Sequence, residues 1–332
     1  MQVIIPMAGF GKRLRPHTYS RPKPLVNVAG KSVLGHVIDS LKGLDISELL
    51  CITGYLGEQI ESYVKRNYHI PARFFEQKVL NGQSPAVYLC KDAVSGPALV
   101  VFVDTLIQAD LLPLKEETAD LVAFVKPVDD PRRFGVAELG TDGWVRRLRE
   151  KPDGMEYGNL ALVGFYYVRE AADMMSAIES QLADDVRTKG EYYLADAFNI
   201  MIERGARMRA ETVQVWEDCG KPETVLSTNR FLLDHGFDNS GQAGREQCII
   251  IPPVHVDPSA QIARAVIGPH VTIAADCEIQ DAIVRNSIID EGAHVESALL
   301  EGSLIGRDAL VREHFFSYNV GDSSAVGCSL YE

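Results

Sequence analysis

The sequence predicts an α/β domain with a largely parallel sheet, followed by a short parallel β-helix. Through residues 1–233, short apolar runs typical of buried strands, such as Gln2–Ile5 and Leu99–Val103, alternate with helical patterns such as that of residues 34–41. This alternation is typical of a sheet whose strands are connected by helices on both faces. Over Val256–Val311, an aliphatic residue instead recurs every five or six residues, which is typical of a β-helix.

The second period favours a β-helix because neither an α-helix nor an amphipathic strand repeats at this interval. With three faces per turn, the run predicts about three coils, close to the minimum for a stable stack of repeats. Irregular strands with chance spacing are the alternative. The recurring positions are Val256, Ile262, Ile267, Ile273, Ile279, Val284, Ile289, Val295, Leu300, Ile305 and Val311.

These patterns divide the chain into three segments. Residues 1–233 form the predicted α/β domain, residues 234–247 are polar and glycine-rich and predict a linker, and residues 248–332 form the predicted β-helix domain. In open α/β sheets, ligands bind beyond the carboxyl ends of the strands. We therefore expect the binding site in the loops that follow Ile5 and Val103.

The composition restricts the class of function. The chain has 332 residues and a formal net charge of −13, from 33 Lys and Arg against 46 Asp and Glu. This argues against nucleic acid as a partner, because a nucleic-acid-binding protein needs a basic face. No apolar run approaches the roughly 18–20 residues that span a bilayer, and no signal-peptide pattern opens the sequence. The six cysteines are dispersed without a CxxC pair, so we expect reduced thiols in a cytoplasmic protein without membrane contacts.

A glycine-rich turn with basic residues follows the first predicted strand. Gly9 and Gly11 let backbone N–H groups approach an anion closely, and Lys12, Arg13 and Arg15 follow them. The turn is not a dinucleotide fingerprint, because a leucine stands where GxGxxG has its third glycine, and its spacing is not that of a Walker loop. A tight strand-to-helix turn with a solvated basic cluster is the alternative.

A further cation, Lys23, lies between two prolines. Pro22 and Pro24 restrict the backbone on both sides and so limit the direction of the lysine side chain. A rigidly directed ammonium group suits the charge that develops on a phosphate better than a flexible surface lysine does.

Together these features resemble a known family. The run GxGxRLxPxTxxxPKPLxxVxGKxxL over Gly9–Leu34 is similar to the signature of the sugar-1-phosphate nucleotidyltransferases, or nucleotide-sugar pyrophosphorylases. The resemblance is greatest to long glucose-1-phosphate thymidylyltransferases and uridylyltransferases. It implies a Rossmann-like, mixed and mostly parallel sheet in residues 1–233 and a left-handed β-helix in residues 248–332. Further matching motifs are Gly54–Ile60, Phe134–Val136, Glu150–Pro152, Asn159–Gly164, Glu191–Ala197 and Trp216–Glu223.

The resemblance also implies a reaction and a set of site residues. A nucleoside monophosphate would pass from dTTP or UTP to a sugar 1-phosphate, with glucose 1-phosphate as the expected acceptor and Mg²⁺ as cofactor, releasing pyrophosphate. The catalytic residues would be Arg13 and Lys23. The nucleotide would contact Ala8, Gly9, Gly11, Lys12, Gly82 and Gln83. The sugar phosphate would contact Gly135, Glu150, Lys151 and Asn159, and the metal would be held by Asp104 and Asp218.

The carboxylates in this set have structural alternatives. Mg²⁺ prefers one or two carboxylates together with phosphates and water, which Asp104 and Asp218 could supply. Asp104 could instead cap the end of its strand, and Asp218 could cap the helix that starts near Pro222. Glu150 could be a solvated charge of a hairpin.

Two departures from the family pattern leave other functions open. Val103 precedes Asp104 where the family usually has glycine, and Pro85 stands where some members have a base-reading glutamine. The nucleobase and the sugar therefore stay undetermined, and a catalytically silent regulatory or assembly subunit is the alternative to an active enzyme. A third interpretation is a β-helix acyltransferase. We expect small-molecule substrates and a homo-oligomer held by the tail. The candidate bases of the acyltransferase are His270, His294 and His314.

Overall fold

The computed structural model describes residues 1–243, 247–314, 317 and 319–321. The chain divides into two compact units, Met1–Phe231 and Leu232–Glu332. The part of the predicted β-helix domain after residue 321 lies outside the described residues, as does Cys328.

The first unit contains β1 to β13 and α1 to α6, the last of which ends one residue beyond it. Its strands are β1 Gln2–Pro6, β2 Asn27–Val28, β3 Lys31–Ser32, β4 Glu48–Thr53, β5 Ala72–Glu76, β6 Ala98–Val101, β7 Thr105–Gln108, β8 Leu121–Pro127, β9 Gly135–Leu139, β10 Val145–Glu150, β11 Leu160–Val168, β12 Met208–Thr212 and β13 Val215–Asp218. Its helices are α1 Val33–Ser40, α2 Gly57–Asn67, α3 Gln83–Tyr88, α4 Ala171–Ala183, α5 Leu194–Glu203 and α6 Pro222–Leu232.

The main sheet is mixed, as predicted. Within the described residues it has nine strands, in the order β10-β9-β11-β6-β1-β4-β5, with β8 beside β11 and β12 beside β8. Strand β1 runs parallel to both β4 and β6, whereas β11 is antiparallel to β6, β8 and β9. Val3, Ile4 and Ile5 of β1 are fully buried, because a central strand is covered on both faces.

The topology places two loops side by side. Strands β1 and β6 pair in parallel register, with Ile4 opposite Val100, so the chain leaves both strands at the same edge of the sheet. The loop after β1 carries the glycines, and the loop after β6 carries Asp104. The antiparallel pair β7–β13 then brings Asp218 opposite Thr105, and the Cys219 N–H donates to the Asp104 carbonyl at 2.9 Å.

The second unit is a stack of short parallel strands. They form three sheets, in the orders β14-β17-β20-β23, β15-β18-β21-β24 and β16-β19-β22-β25. The strands are β14 Ile249–Ile250, β15 Val254–Val256, β16 Gln261–Ala263, β17 Val266–Ile267, β18 Val271–Ile273, β19 Glu278–Gln280, β20 Ile283–Arg285, β21 Ile288–Ile289, β22 His294–Glu296, β23 Leu299–Glu301, β24 Leu304–Ile305 and β25 Leu310–Arg312.

The recurring aliphatic residues form the core of this stack. Ile267, Ile273, Val284 and Ile289 are fully buried, and Ile279 is 1% exposed. Core residues of neighbouring coils lie opposite one another on paired strands, as Ile262 lies opposite Ile279. The predicted β-helix is therefore confirmed, and the three stacked parallel sheets agree with the left-handed form that the resemblance implies.

The segment expected to be a linker is built into the second unit. Its first part, Leu233–Phe237, follows α6 directly and leaves the helical backbone conformation at His235 and Gly236, where φ is −121° and +100°. The Asn239 side chain then donates to the Val256 carbonyl at 2.9 Å and accepts from the Val256 N–H at 2.8 Å. Ala243 is 2% exposed and belongs to the core of the stack. The polar composition on which the linker prediction depends does not reveal these contacts of Asn239. Residues 244–246 lie outside the described residues.

The described residues also include most of the cysteines and can be searched for membrane-spanning helices. The described cysteines, Cys51, Cys90, Cys219, Cys248 and Cys277, are free thiols. No helix in the described part of the chain has the length and apolar character needed to cross a membrane.

Candidate active site

A cavity of about 600 Å³ lies beyond the carboxyl ends of β1 and β6. Its walls come from the loop after β1, from the turn around Lys23, and from the loop after β6. The predicted site residues that line it are Gly9, Gly11, Lys12, Arg13, Lys23 and Asp104. The sequence-based placement of the site beyond these two strands agrees with this geometry.

The two glycines of the loop do different work. Gly11 has φ +62°, and a Cβ there would lie 3.0 Å from the Lys23 Cβ, so the turn itself needs glycine. The Thr18 hydroxyl donates to the Gly11 carbonyl at 2.9 Å and fixes the turn. A Cβ on Gly9 would meet nothing within 4 Å, so this glycine leaves room on the cavity side instead.

A neighbouring motif supports the loop from behind. A Cβ on Gly54 would lie 2.7 Å from the Ala8 carbonyl, so only glycine permits this close approach. The Tyr55 hydroxyl donates to the Tyr19 carbonyl at 2.6 Å. The Gln59 amide donates to the Ser20 carbonyl at 2.9 Å. The motif after β4 therefore holds both ends of the loop, and Ala8, a predicted nucleotide contact, is 5% exposed beneath it.

Lys23 and Asp104 form an ion pair at the cavity wall. The Lys23 Nζ lies 2.8 Å from Asp104 Oδ2, and their side chains are 15% and 36% exposed. Burial opposes ionisation of Asp104, but the charge and hydrogen bond of Lys23 outweigh it, so the pKa of Asp104 is lowered. Asp104 is thus an ionised carboxylate that faces the cavity, rather than a cap of its strand alone.

Arg13 and Asp218 meet at Gly220. A Cβ on Gly220 would lie 2.8 Å from Arg13 Nη2 and 2.9 Å from Asp218 Oδ1. The positive charge of Arg13 also acts on Asp104 and contributes to its lowered pKa. The guanidinium therefore lies near both predicted metal ligands, and the glycine of the WEDCGKPE motif provides the space it occupies.

The residues present fit a Mg²⁺ ion bound jointly with a phosphate ligand. Asp218 ends β13 opposite Thr105 of β7, and Asp104 directly precedes β7, so the two carboxylates come from adjacent segments. Mg²⁺ commonly takes one or two carboxylates and completes its shell with phosphates and water. No cluster of three or more His, Cys, Asp or Glu side chains that could hold a metal occurs among the described residues. A metal here would therefore depend on oxygens from the substrate.

Three of the predicted sugar-side residues, Gly135, Glu150 and Lys151, lie together at the end of β10. Glu150 pairs with Gly135 of β9, and a Cβ on Gly135 would lie 2.8 Å from Glu150 Oε2. Lys151 follows with φ +48°, and its Nζ donates to the Tyr193 hydroxyl at 2.6 Å. The Asn159 amide donates to the Val128 carbonyl at 3.2 Å, so its nitrogen is already engaged in holding two segments together.

Glu150 is perturbed by its surroundings. Burial raises its pKa to about 7, with the nearby Asp196 carboxyl adding to the rise and Lys151 opposing it. A side chain whose charge is suppressed in this way is not a solvated hairpin charge. Its protonation instead changes close to neutral pH.

We predict that Glu150→Gln stabilises the protein at pH 8 and leaves stability almost unchanged near pH 4.5. The unfolded glutamate ionises near pH 4.5, but the folded one holds its proton to about pH 7. Wild-type stability therefore falls as pH rises through this window, by on the order of 1–3 kcal/mol, and the neutral glutamine avoids that loss. Urea unfolding at several pH values measures the difference.

Glu48→Gln is the control with the opposite sign. The hydrogen bond from Arg73 lowers the pKa of Glu48, so its ionised form stabilises the folded state above the pKa of the unfolded chain. This variant should lose stability at pH 8. A Glu150→Gln variant that is also less stable at pH 8 would contradict the prediction.

Gly82 and Gln83 lie at the start of α3. Gly82 has φ +138° and forms a bridge with Tyr192, and a Cβ there would lie 2.5 Å from the Tyr192 carbonyl. Gln83 Oε1 accepts from the Leu194 N–H at 3.2 Å. The glutamine carbonyl is thus engaged with the start of α5, and neither residue lines the cavity described above.

Several cavity residues were not predicted. Glu191 and Gly220 line the cavity, and both belong to motifs of the resemblance, which was the signal that could have identified them. Leu80, 44% exposed, and Phe102 also line it, and nothing in their sequence context marks them. Tyr193 belongs to the motif Glu191–Ala197 but was not predicted as a site residue. Its contact with Lys151 joins distant parts of the chain, so the local sequence does not indicate it.

The sequence profile described as Nucleotidyl transferase matches residues 2–235 of this chain. The chain belongs to the nucleotidyl transferase family. The matched region contains the cavity and all the predicted site residues, and the family expected from the motifs is confirmed.

Individual relatives of this nucleotidyl transferase differ in how much of their length they share. Bifunctional protein GlmU of Methanocaldococcus jannaschii is 32% identical over 238 residues, which cover 70% of this chain and 55% of that protein. The chain thus spans about half the length of this relative. Glucose-1-phosphate thymidylyltransferase of Streptomyces griseus is 26% identical over 337 residues, covering 94% of this chain and 93% of that enzyme. A structure from Bacillus anthracis, assigned as a glucose-1-phosphate thymidylyltransferase in complex with sucrose, gives a TM-score of 0.60 at 25% identity, over 70% of this chain and 94% of that one.

Proposed function

We propose that this chain transfers a nucleoside monophosphate from dTTP or UTP to a sugar 1-phosphate, in a Mg²⁺-dependent reaction that releases pyrophosphate. Glucose 1-phosphate is the proposed acceptor, since two relatives that match this chain over nearly their whole length are named glucose-1-phosphate thymidylyltransferase. The observation that carries the proposal is a single cavity that joins the glycine loop, Arg13, Lys23 and the ionised Asp104. The proposed compartment is the cytoplasm.

The reaction brings two polyanions together, so neutralisation and positioning should account for most of the catalysis. An oxygen of the sugar phosphate attacks the α-phosphorus of the triphosphate, and the bond to the β-phosphate oxygen breaks. Arg13 would stabilise the leaving pyrophosphate with its planar fork of donors. Lys23, fixed by Asp104 at 2.8 Å, would hold the α-phosphate region. Asp104 and Asp218 would hold Mg²⁺, which would supply further positive charge to the phosphate groups.

The sugar-side residues would orient the attacking group. Lys151 is proposed to contact the phosphate of the sugar, and Glu150, Gly135 and Asn159 the sugar itself. The carbonyl oxygen of the Asn159 side chain stays available for this role, because its hydrogen bond to Val128 uses the amide nitrogen. Gly82 and Gln83 are proposed to shape the nucleoside end of the site.

A pyrophosphate-release screen tests the proposal. The purified chain is incubated with each of dTTP, UTP, CTP, GTP and ATP against several sugar 1-phosphates, with and without Mg²⁺. Release with dTTP or UTP and glucose 1-phosphate, dependent on Mg²⁺, is the expected result. Nucleotide binding without turnover for any pair would instead favour the catalytically silent subunit. The presence of Val103 in the cavity wall, where the family usually has glycine, is the reason to consider that alternative.

We expect Gly9→Ala to raise the KM for the nucleotide without lowering stability. The new methyl group meets nothing within 4 Å in the folded protein, and Gly9 needs no left-handed backbone, so folding is unaffected. The methyl group would instead occupy space that the triphosphate needs, at a cost of about 1–3 kcal/mol. Initial-rate kinetics and thermal unfolding separate the two effects. An unchanged KM, or a large fall in Tm, would contradict this interpretation.

We further propose that the tail mediates homo-oligomer contacts. Ile249, Val266, Ile283 and Leu299 stack in register on one sheet of the β-helix. Ile249 is 61%, Ile283 42% and Leu299 72% exposed, and contiguous exposed apolar surface of this kind is typical of interfaces. Light scattering of wild type and Leu299→Asp tests this; an unchanged mass would argue against it.

The tail histidines have structural partners. His270 Nε2 lies 2.9 Å from Asp234, and His294 Nδ1 lies 3.3 Å from Glu278. These contacts do not by themselves indicate an acyltransferase site, and that interpretation is not proposed.

A further inference from the structure

Tyr193 makes a direct contact with the lysine assigned to the sugar phosphate. The Lys151 Nζ donates to the Tyr193 hydroxyl at 2.6 Å and lies 5.0 Å from the centre of its ring. Tyr193 itself is 6% exposed, so its ring is held by packing. At these two distances the nitrogen lies beyond the hydroxyl end of the ring, and its contact with Tyr193 is a hydrogen bond to a charged group, which is stronger than a neutral one.

The backbone that carries Tyr193 is fixed on several sides. Its carbonyl accepts from Gln181 Nε2 of α4 at 3.0 Å. The next residue, Leu194, donates its N–H to Gln83 Oε1 of α3, and the preceding residue, Tyr192, bridges to Gly82. The backbone around Tyr193 is therefore held by α4 and by the start of α3, which restricts the position of the tyrosine hydroxyl.

The backbone of Lys151 is equally restrained. Its N–H donates to the Phe134 carbonyl at 2.8 Å, and its own carbonyl accepts from Lys189 Nζ at 3.0 Å. Freedom then remains in its four-carbon side chain, whose rotamer entropy amounts to roughly 2 kcal/mol. A partner that fixes the ammonium group before substrate arrives reduces the entropy lost on binding.

We propose that Tyr193 is a positioning residue, which directs the Lys151 ammonium group toward the phosphate of the sugar 1-phosphate. This inference rests on the proposed function. The ammonium group has three N–H donors, and the tyrosine takes one, which leaves two for phosphate oxygens. The same hydrogen bond raises the pKa of Lys151, in line with its preference for the charged ammonium group.

Kinetics of Tyr193→Phe provide the first test, since this substitution removes only the hydroxyl. With the substrate pair that gives turnover in the wild type, we expect the KM for the sugar 1-phosphate to rise roughly tenfold. The KM for the nucleotide should stay within about twofold of wild type, since the nucleotide does not depend on this contact. Equal rises in both KM values would indicate general damage and overturn the proposal.

A matched variant and a double-mutant cycle sharpen the result. Tyr192→Phe removes the hydroxyl of the neighbouring tyrosine, which donates to Asp185 instead, and it should leave the KM for the sugar 1-phosphate unchanged. In a Lys151→Met background, Tyr193→Phe should add no further effect, because the partner it positions is gone. An additive effect, or an equal effect of Tyr192→Phe, would overturn the proposal.

Lysine labelling separates this proposal from the function on which it rests. In the protein without substrate, acetylation of Lys151 by an N-hydroxysuccinimide ester is followed by peptide mass spectrometry, with exposed Lys42 as reference. Tyr193→Phe should increase the relative labelling rate of Lys151. An unchanged rate overturns the positioning role. If the wild type releases no pyrophosphate with any pair, the proposed function fails, whereas a raised labelling rate would still show that Tyr193 restrains Lys151.

Discussion

Lys23→Met should lower kcat/KM for pyrophosphate release by roughly 10²–10³, the usual cost of removing one preorganised group that stabilises transition-state charge. Lys23 is fixed by its prolines, and its ammonium group lies 2.8 Å from Asp104 at the cavity wall. Methionine keeps most of the side-chain volume and removes the charge. Initial rates over a range of both substrates measure the effect.

Lys115→Met is the control for this variant. Lys115 also pairs with an aspartate, Asp45, at 2.9 Å, but it does not line the cavity. The Lys115→Met substitution also removes one lysine charge and should leave kcat/KM within about twofold of wild type. If Lys23→Met and Lys115→Met gave the same rates, Lys23 would have no role in the reaction. Thermal unfolding of both variants excludes loss of fold as the cause.

Asp104→Asn should lower pyrophosphate release by roughly 10²–10⁴, because Asp104 is a proposed ligand of Mg²⁺ and its loss would forfeit several kcal/mol of charge stabilisation. The substitution keeps the size of the side chain but removes the negative charge. It also releases Lys23, whose ammonium group Asp104 fixes at 2.8 Å. Rates measured over a wide range of Mg²⁺ concentration should show a higher requirement for the metal as well as a lower maximum.

Asp45→Asn provides the matched control, since it breaks an ion pair of the same type outside the cavity. It should leave both the rate and the Mg²⁺ dependence unchanged. Combining Asp104→Asn with Lys23→Met should cost less than the two single effects together, because the residues act as a unit. An Asp104→Asn variant with wild-type Mg²⁺ dependence would remove Asp104 from the proposed metal site.

Local features of the chain predicted much of the fold. The strand of Val3, Ile4 and Ile5 is apolar at every position because it is central, and the β-helix shows itself by one aliphatic residue per face. Both signals are local and repeat along the chain. The contacts of Asn239 with Val256 join positions 17 apart in the sequence, and the local composition of residues 234–247 does not indicate them.

The site divides in the same way. The sequence by itself determined the glycine-rich loop and the restrained Lys23, because glycine and proline act on the backbone of neighbouring residues, whereas Asp104 and Asp218 were predicted from the family resemblance. Only the tertiary structure decided which groups share one cavity, that Lys23 holds Asp104, and that burial raises the pKa of Glu150 to about 7. It also decided that Tyr193 reaches Lys151 across 42 positions of the chain. Distances and desolvation arise when separate segments pack together, and no local pattern encodes them.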